Sequence, residues 1–471
     1  MPPQTPSDAL PRQRTPRLSP EKKNQPPTVH QLATEWAKRH ESRYRFMKVN
    51  QWWRYTDGCW EFTEVHQINA SVFRFLQDKN IVLPVVAVTP KNIRDIVALA
   101  ENILGPHELS DFDSNLHWIP VANGVYDIQS NTLLPPSPKN LITHKRDFPY
   151  DPDAGCPRWE RFMTEVMLTT RGETYAPWVS IMQEWFGYCL VPDTSAQQAM
   201  YWKGTGENGK GITTRLIDKL VGPESCTAVS IEDLHREYYR AELFGKLIGF
   251  VDEPDPKAMK QNGTHYKRLT GQDKINGRRP NEKVINFRPT VRLIVSCNQL
   301  PSTTDLSKGY FRRPIIIEWR YQNDEVPEEK KEQGIEAVLH GEISGIFNWA
   351  LVGLRRFRAT RTGNGFALPD ESKMLLQEYK LNEDSLSRFI GEEAKLDDPE
   401  SFVPVPQFYA AYREWCKAAG EPNILSRNSF TIQMTSQKFT KRQKWLFGKN
   451  TWVWNGIGLV DPQAELPTSK T

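Results

Sequence analysis

The sequence lacks any run of about 18 or more apolar residues, the length a membrane-spanning helix needs, and its N-terminus has no apolar secretory core. A chain without membrane contact that stays inside the cell is expected. Cysteine is scarce: Cys59, Cys156, Cys189, Cys226, Cys297 and Cys416 are scattered, and no two form a CxxC pair. Reduced, mostly buried thiols fit that spacing better than a zinc site. Charge of one sign is also lacking, since 61 Lys and Arg against 57 Asp and Glu leave a net charge of only +4. That balance neither demands nor excludes nucleic acid, because local clustering decides. No internal repeat is present.

Aromatic residues are plentiful, with 15 Trp, 15 Tyr and 21 Phe. They are ample material for the roughly two to four cores expected of this length. Residues 1–28, rich in Pro, Ser, Thr, Gln and basic side chains, read as a disordered tail. An α+β N-terminal domain is expected over 29–155. It opens with a short helix around Leu32 and Trp36. A hairpin follows, with Trp52, Trp53 and Tyr55 before Asp57-Gly58 and Trp60 and Phe62 after it. A second hairpin is expected around Gly124–Asp127 and Leu133-Leu134, and Tyr150–Pro157 reads as an interdomain linker. Helical spacing of Phe162, Val166, Met167, Trp178, Ile181, Trp185 and Phe186 predicts a helical collar over 156–198. Short apolar strands alternate with helices over 199–320, the pattern of a largely parallel α/β sheet. A helical lid segment is expected over 321–380. A smaller unit over 381–471 should hold helices 405–418 and 426–437 and a basic strand pair.

The strand Ala199–Trp202 runs into Gly204-Thr-Gly-Glu-Asn-Gly-Lys210, which fits the phosphate-loop pattern G-x4-G-K between a strand and a helix. Its glycines let backbone N–H groups curl round phosphate oxygens, the helix start adds positive potential, and Lys210 reaches the β- and γ-phosphates. ATP contacts are therefore expected from Gly204, Thr205, Gly206, Glu207, Asn208, Gly209, Lys210, Gly211, Ile212, Thr213 and Thr214. Gly211 stands where a Mg²⁺-binding hydroxyl is usual, with Thr214 one turn on. The alternative is a glycine-rich turn that binds nothing. A second apolar strand, Lys246–Val251, ends in Asp252-Glu253: Asp252 is expected to hold Mg²⁺ and Glu253 to polarise the attacking water. A third strand ends in Asn298, suited to position that water. Arg312 and Arg313 precede the apolar run Ile315–Ile317, and a guanidinium suits transition-state phosphate charge.

Taken in order, GTGENGKG, GKLIGFVDE, KRLTGQDKINGRR, FRPTVRLIVSCNQLP and GYFRRPIII resemble superfamily 3 helicases of the phage, plasmid and poxvirus primase-helicase type. NGVYDIQSNTLL, YDPDAGCPRW and GIFNWALVGL extend the likeness over about residues 115–360. The resemblance implies an AAA+-like P-loop core that forms a ring, commonly a homo-hexamer, and moves 3′ to 5′ along DNA. Its catalytic residues would be Lys210, Asp252, Glu253, Asn298 and one of Arg312 and Arg313, the arginine acting on a neighbouring subunit. Single-stranded and forked DNA would be substrates in the cytoplasm of a bacterial or virus-infected cell. A separate primase or polymerase is expected as partner, since the N-terminal region leaves no room for a primase domain.

Residues Lys274–Phe287 read as two short strands round a basic tip. The resemblance implies a hairpin that grips DNA phosphates through Arg278, Arg279 and Lys283; a solvated basic turn is the alternative. The C-terminal unit resembles a winged helix, with Arg427 on a recognition helix and Lys438, Lys441, Arg442 and Lys444 on the wing. A replication initiator that uses ATP only for assembly is the alternative to an unwinding enzyme.

Overall fold

The computed structural model describes residues 26–460, apart from 49–50, 83–87, 106, 109–110, 113, 116, 144–145, 281–283, 323–333, 362–364, 397–399, 422–423 and 447. The expected tail therefore lies outside the described residues, except at its end. There Thr28 closes a capping box with Gln31, whose backbone N–H donates to the Thr28 hydroxyl at 3.3 Å.

Two compact units divide the chain between Asp111 and Phe112, with Asp57–Cys59 grouped with the second. In the first unit, helix Val29–His40 buries Leu32, Ala33, Trp36 and Ala37, one face at helical spacing. These share a core with Ile96, Val97 and Ala100 of helix Pro90–Leu104. Strands Tyr44–Met47, Gln51–Thr56 and Cys59–Thr63 form a three-stranded sheet in that order. Asp57 and Gly58 take positive φ, 48° and 91°, as a two-residue hairpin turn requires.

The second unit begins earlier than the boundary at 155 expected from sequence. The sheet Trp118–Val121, Gly124–Asp127, Thr132–Leu134 places Ile119, Val121 and Tyr126 in one core with Trp159, Trp185 and Phe347. The supposed linker is fixed by side chains rather than free. Asn348 donates to the carbonyls of Asp151 (2.8 Å) and Ala154 (3.0 Å), and Ser344 donates to that of Pro149 at 2.9 Å.

Five parallel strands form the centre: Ala199–Lys203, Cys226–Ala228, Ile248–Asp252, Arg292–Cys297 and Pro314–Glu318. Counted along the chain, they lie in the order 5-1-4-3-2. Four of them are largely buried and read as mostly apolar runs, whereas the edge strand Cys226–Ala228 leaves Ala228 exposed. Buried Arg292 ties the sheet to helix Ala176–Cys189, donating to the carbonyls of Cys189 and Asp193 (3.0 Å each) and of Val191. A cation so placed satisfies the orphan carbonyls beyond a helix C-terminus.

The expected collar and lid are parts of this same core. Helix Ile343–Thr360 lies against helix Ala176–Cys189, and glycines make the approach close. A Cβ on Gly353 would fall inside the Gln183 carbonyl, and one on Gly187 inside that of Ala350. Gly353→Ala is therefore expected to destabilise the protein by about 1–3 kcal/mol or more through overpacking. Thermal unfolding checks this, and an unchanged Tm would show that the two helices separate easily. No single helix among the described residues is long and apolar enough to cross a membrane. The bent pair Ile335–Gly341 and Ile343–Thr360 passes by composition, but the apolar face of its longer helix is buried in the protein's own core.

The C-terminal part has its own core of Leu386, Phe389, Phe408, Tyr412, Phe430 and Trp454. Helices Ser385–Glu393, Val405–Ala418 and Arg427–Ser436 pack with an antiparallel sheet ordered Phe402–Pro404, Lys449–Asn455, Lys441–Leu446.

Candidate active site

The Gly204–Lys210 loop leaves the first sheet strand in a conformation its glycines permit. A Cβ on Gly204 would sit 2.6 Å from the Trp319 carbonyl oxygen, and Gly209 has φ +93°. Buried Asn208 staples the loop. Its amide donates to the carbonyls of Thr205 and Trp319, and its Oδ1 accepts from the Lys210 N–H at 3.4 Å. Lys210 opens helix Lys210–Val221, and its ammonium donates to the Gly204 carbonyl. Burial lowers its pKa, opposed by the nearby carboxylates of Glu253 and Asp252.

Asp252 ends the third strand of the sheet, and Glu253 follows in a left-handed conformation, φ +41°. The neighbouring strand holds Glu253 at both ends. Its backbone N–H donates to the Ser296 carbonyl at 2.9 Å, and its Oε2 accepts from the Asn298 N–H at 3.3 Å. Glu253, Asp252, Asn298, Lys210 and the loop from Gly206 to Ile212 face a cleft of about 940 Å³ at the carboxyl ends of the strands. Ligands of open α/β sheets bind in that position.

The opposite wall was not legible in the sequence. It consists of Arg158, Arg161, Phe162, Glu165 and Val166 of helix Pro157–Val166, with Tyr321 and Ile335. Ser296 lines the floor as well. Arg158 falls in the stretch YDPDAGCPRW and Ser296 in FRPTVRLIVSCNQLP, but neither position is marked there as facing the nucleotide, and Phe162 and Val166 read only as apolar core residues.

Thr213 and Thr214 differ from the expectation that they face ATP. Their hydroxyls donate back to the carbonyls of Gly209 and Lys210, each at 3.0 Å, and neither lines the cleft. The two arginines, left equivalent by the sequence, sit in unlike environments. Arg313 is buried, donating to the Thr270 hydroxyl at 2.8 Å and the Lys267 carbonyl at 3.2 Å, and burial lowers its pKa. Arg312 is exposed, with its guanidinium on the Gln197 side chain. Neither lies in the cleft of its own chain.

Strands Ile275–Gly277 and Ile285–Phe287 form the expected hairpin, while Lys283 lies outside the described residues. Arg278 pairs with Glu237 at 2.9 Å and lies over the Tyr238 ring, and Arg279 is half-buried. Sequence reading missed the short helix Glu237–Ala241 at the base of the hairpin. Arg240 donates to the Asn276 carbonyl at 2.7 Å, and Tyr238 and Tyr239 stand exposed beside it. In the C-terminal sheet, Lys441 lies over the Trp454 ring and Lys444 over that of Phe402. Lys438 follows helix Arg427–Ser436 in the turn beyond its C-cap with φ +71°, Arg442 is exposed, and Arg427 begins that helix.

Among the described residues no group of three or more His, Cys, Asp or Glu side chains is placed to cage a metal ion. Mg²⁺ does not require one, since it usually keeps waters and takes one or two carboxylates besides phosphate oxygens. Asp252 and Glu253 fit that donor set.

Fold and cleft together define a multidomain, mixed α/β protein with a five-stranded parallel sheet whose strand ends converge on an acidic and basic cleft. Residues 33–168 match the family described as D5 N terminal like, and residues 202–313 match a family of unknown function, DUF5906. The chain is similar to "Putative helicase 121R" of Invertebrate iridescent virus 3, 24% identical over 290 residues, covering 55% of this chain and 30% of that protein. It is also similar to "Putative helicase L207/L206" of Acanthamoeba polyphaga mimivirus, 22% identical over 338 residues, covering 66% and 34%. The chain thus spans about a third of the length of these relatives. The NrS-1 C-terminal region shares its fold, with a TM-score of 0.52 at 11% identity over 90% of this chain and 98% of that one.

Proposed function

We propose that the chain is the ATPase of a replicative DNA helicase of a virus, phage or plasmid, built on an AAA+-like core of the superfamily 3 type. The observation that carries this reading is the placement of Lys210, Asp252, Glu253 and Asn298 on one cleft, with Asn298 bonded to Glu253. The 5-1-4-3-2 strand order and the similarity to proteins named as helicases support it.

In this reading the loop N–H groups and Lys210 hold the β- and γ-phosphates. Asp252 holds Mg²⁺, which when bound neutralises phosphate charge. Glu253 accepts a proton from the water whose oxygen attacks the γ-phosphorus, and ADP leaves with the bridging oxygen. Asn298 orients that water. Phe162, Val166 and Ile335 offer an apolar wall for the nucleobase. The Arg278–Arg279 hairpin, with Tyr238 and Tyr239 at its base, would hold DNA as subunits of a homo-hexameric ring move 3′ to 5′. A separate primase or polymerase would act beside it.

Lys210→Ala is expected to abolish ATP hydrolysis without loss of fold. A strand-displacement assay, run with ATP and with a non-hydrolysable analogue, tests the function. Displacement with both nucleotides, or with neither despite DNA-stimulated hydrolysis, would replace unwinding by ATP-driven assembly.

Gly211 permits a further test. A Cβ there would meet only the flexible Arg215 guanidinium, at 3.3 Å. Gly211→Ser is expected to fold normally and to lower, a few-fold, the Mg²⁺ concentration that half-saturates hydrolysis. A titration showing a higher requirement would mean that position 211 does not face the metal.

A further inference from the structure

Residues 422–460 contain no aspartate or glutamate and carry six cations, Arg427, Lys438, Lys441, Arg442, Lys444 and Lys449. Among the described residues, none of the six has a carboxylate partner. The charge is unevenly placed. Helix Arg427–Ser436 holds Arg427 alone and exposes Ile432, which gives it little with which to grip a phosphate-lined groove. The other five cations lie on or beside the hairpin of strands Lys441–Leu446 and Lys449–Asn455.

The hairpin has two unlike faces. Trp454 pairs with Lys441, Trp452 with Gln443 and Asn450 with Trp445, so all three indoles share one face. Trp454 is buried at the root, while Trp452 is 52% exposed and Trp445, nearer the tip, 68% exposed. Trp445 and Trp452 are diagonal neighbours, about 7–8 Å apart at this register. The opposite face carries Arg442, Lys444 and Lys449, which pair with Val453, Thr451 and Leu446. Indoles held in water form a stacking platform that any nucleobase can use. Within a duplex the base faces are covered by their neighbours, so such a platform calls for unpaired bases. The face that carries Arg442, Lys444 and Lys449 complements the phosphate backbone.

We propose that this hairpin engages DNA at a junction of single and double strand, its indole face stacking unpaired bases and its cationic face lying along the phosphates of the other strand. The proposal rests on the DNA half of the proposed function and names the DNA form and contact residues. Fluorescence anisotropy without nucleotide, using the full chain with forked and blunt DNA of equal duplex length, tests it. Trp445→Ala and Trp452→Ala are each expected to weaken forked DNA about tenfold, within the range for one stacked base, and to leave blunt duplex unchanged. Trp445→Phe, which keeps a ring, should retain most of the affinity. Arg442→Ala and Lys444→Ala should weaken both DNA forms and lower the slope of log affinity against log salt by about 0.7–0.9 each. Equal loss on blunt duplex would overturn the proposal. So would unchanged affinity for forked DNA, including the case in which Trp445→Ala alters only oligomeric mass, which makes the patch a protein interface. DNA-stimulated ATP hydrolysis by the parent chain is measured alongside. If it persists without a tryptophan effect, this inference alone fails; if the parent binds no DNA in any form, the proposed function fails with it.

Discussion

Glu253→Gln is expected to bind ATP with Mg²⁺ as tightly as the parent and to hydrolyse it roughly 10²–10⁴-fold more slowly, the usual contribution of a positioned general base. The substitution is close to isosteric. The glutamine Oε1 can still accept the Asn298 N–H, and the backbone bond to the Ser296 carbonyl is untouched. What is lost is the negative charge that takes the water's proton. Nucleotide binding followed together with phosphate release separates the two effects. If the variant fails to bind ATP, Glu253 belongs to metal binding or to the framework, and the roles given to Asp252 and Glu253 exchange. The left-handed backbone at Glu253 sharpens the test. A non-glycine residue held there stores about 1–3 kcal/mol of strain. Glu253→Gly is therefore expected to be inactive yet no less stable than the parent, which would mark the strain as retained for function.

The parts of the site that sequence revealed are local ones. A glycine loop followed by lysine needs only contiguous residues to be recognised, and so does an apolar strand ending in two carboxylates. The parallel sheet was legible for the same reason, because strands buried on both faces read as apolar runs. What stayed hidden depends on distant partners. Helix Pro157–Val166 reaches the cleft mostly through residues beyond the quoted stretch YDPDAGCPRW, more than thirty residues before the phosphate loop. Tyr150–Pro157 has the composition of a linker, yet Ser344 and Asn348, almost two hundred residues away, pin Pro149–Ala154 in place. The early boundary has the same origin, since the partners of Tyr126 include Phe347. Thr214 was assigned by helical phase alone, one turn beyond Gly211. Phase does not show that a threonine hydroxyl in mid-helix tends to bond back to the carbonyl four residues before.

Adjacent arginines pose the same difficulty, and their environments now give a directional prediction. Arg313 is buried and spends its guanidinium on Thr270 and Lys267 of its own chain. Arg313→Ala is expected to lower thermal stability by leaving buried acceptors unsatisfied, whatever its effect on hydrolysis. Arg312 is exposed and, among the described residues, bonded to Gln197, so under the proposed function it is the residue that would reach a neighbour's γ-phosphate. Arg312→Ala should fold and bind ATP normally and hydrolyse it roughly 10³–10⁵-fold more slowly, the range for an arginine finger. A finger acting in trans makes mixed assemblies informative. Lys210→Ala subunits offer an intact Arg312, and Arg312→Ala subunits offer an intact loop, so a mixture can build a complete site at their interface. Each variant alone is expected to be inactive, and the mixture to recover activity that rises with total concentration as subunits assemble. Normal hydrolysis by Arg312→Ala alone would reduce the residue to a basic strand start. An inactive mixture of co-assembled subunits would rule out action across the interface.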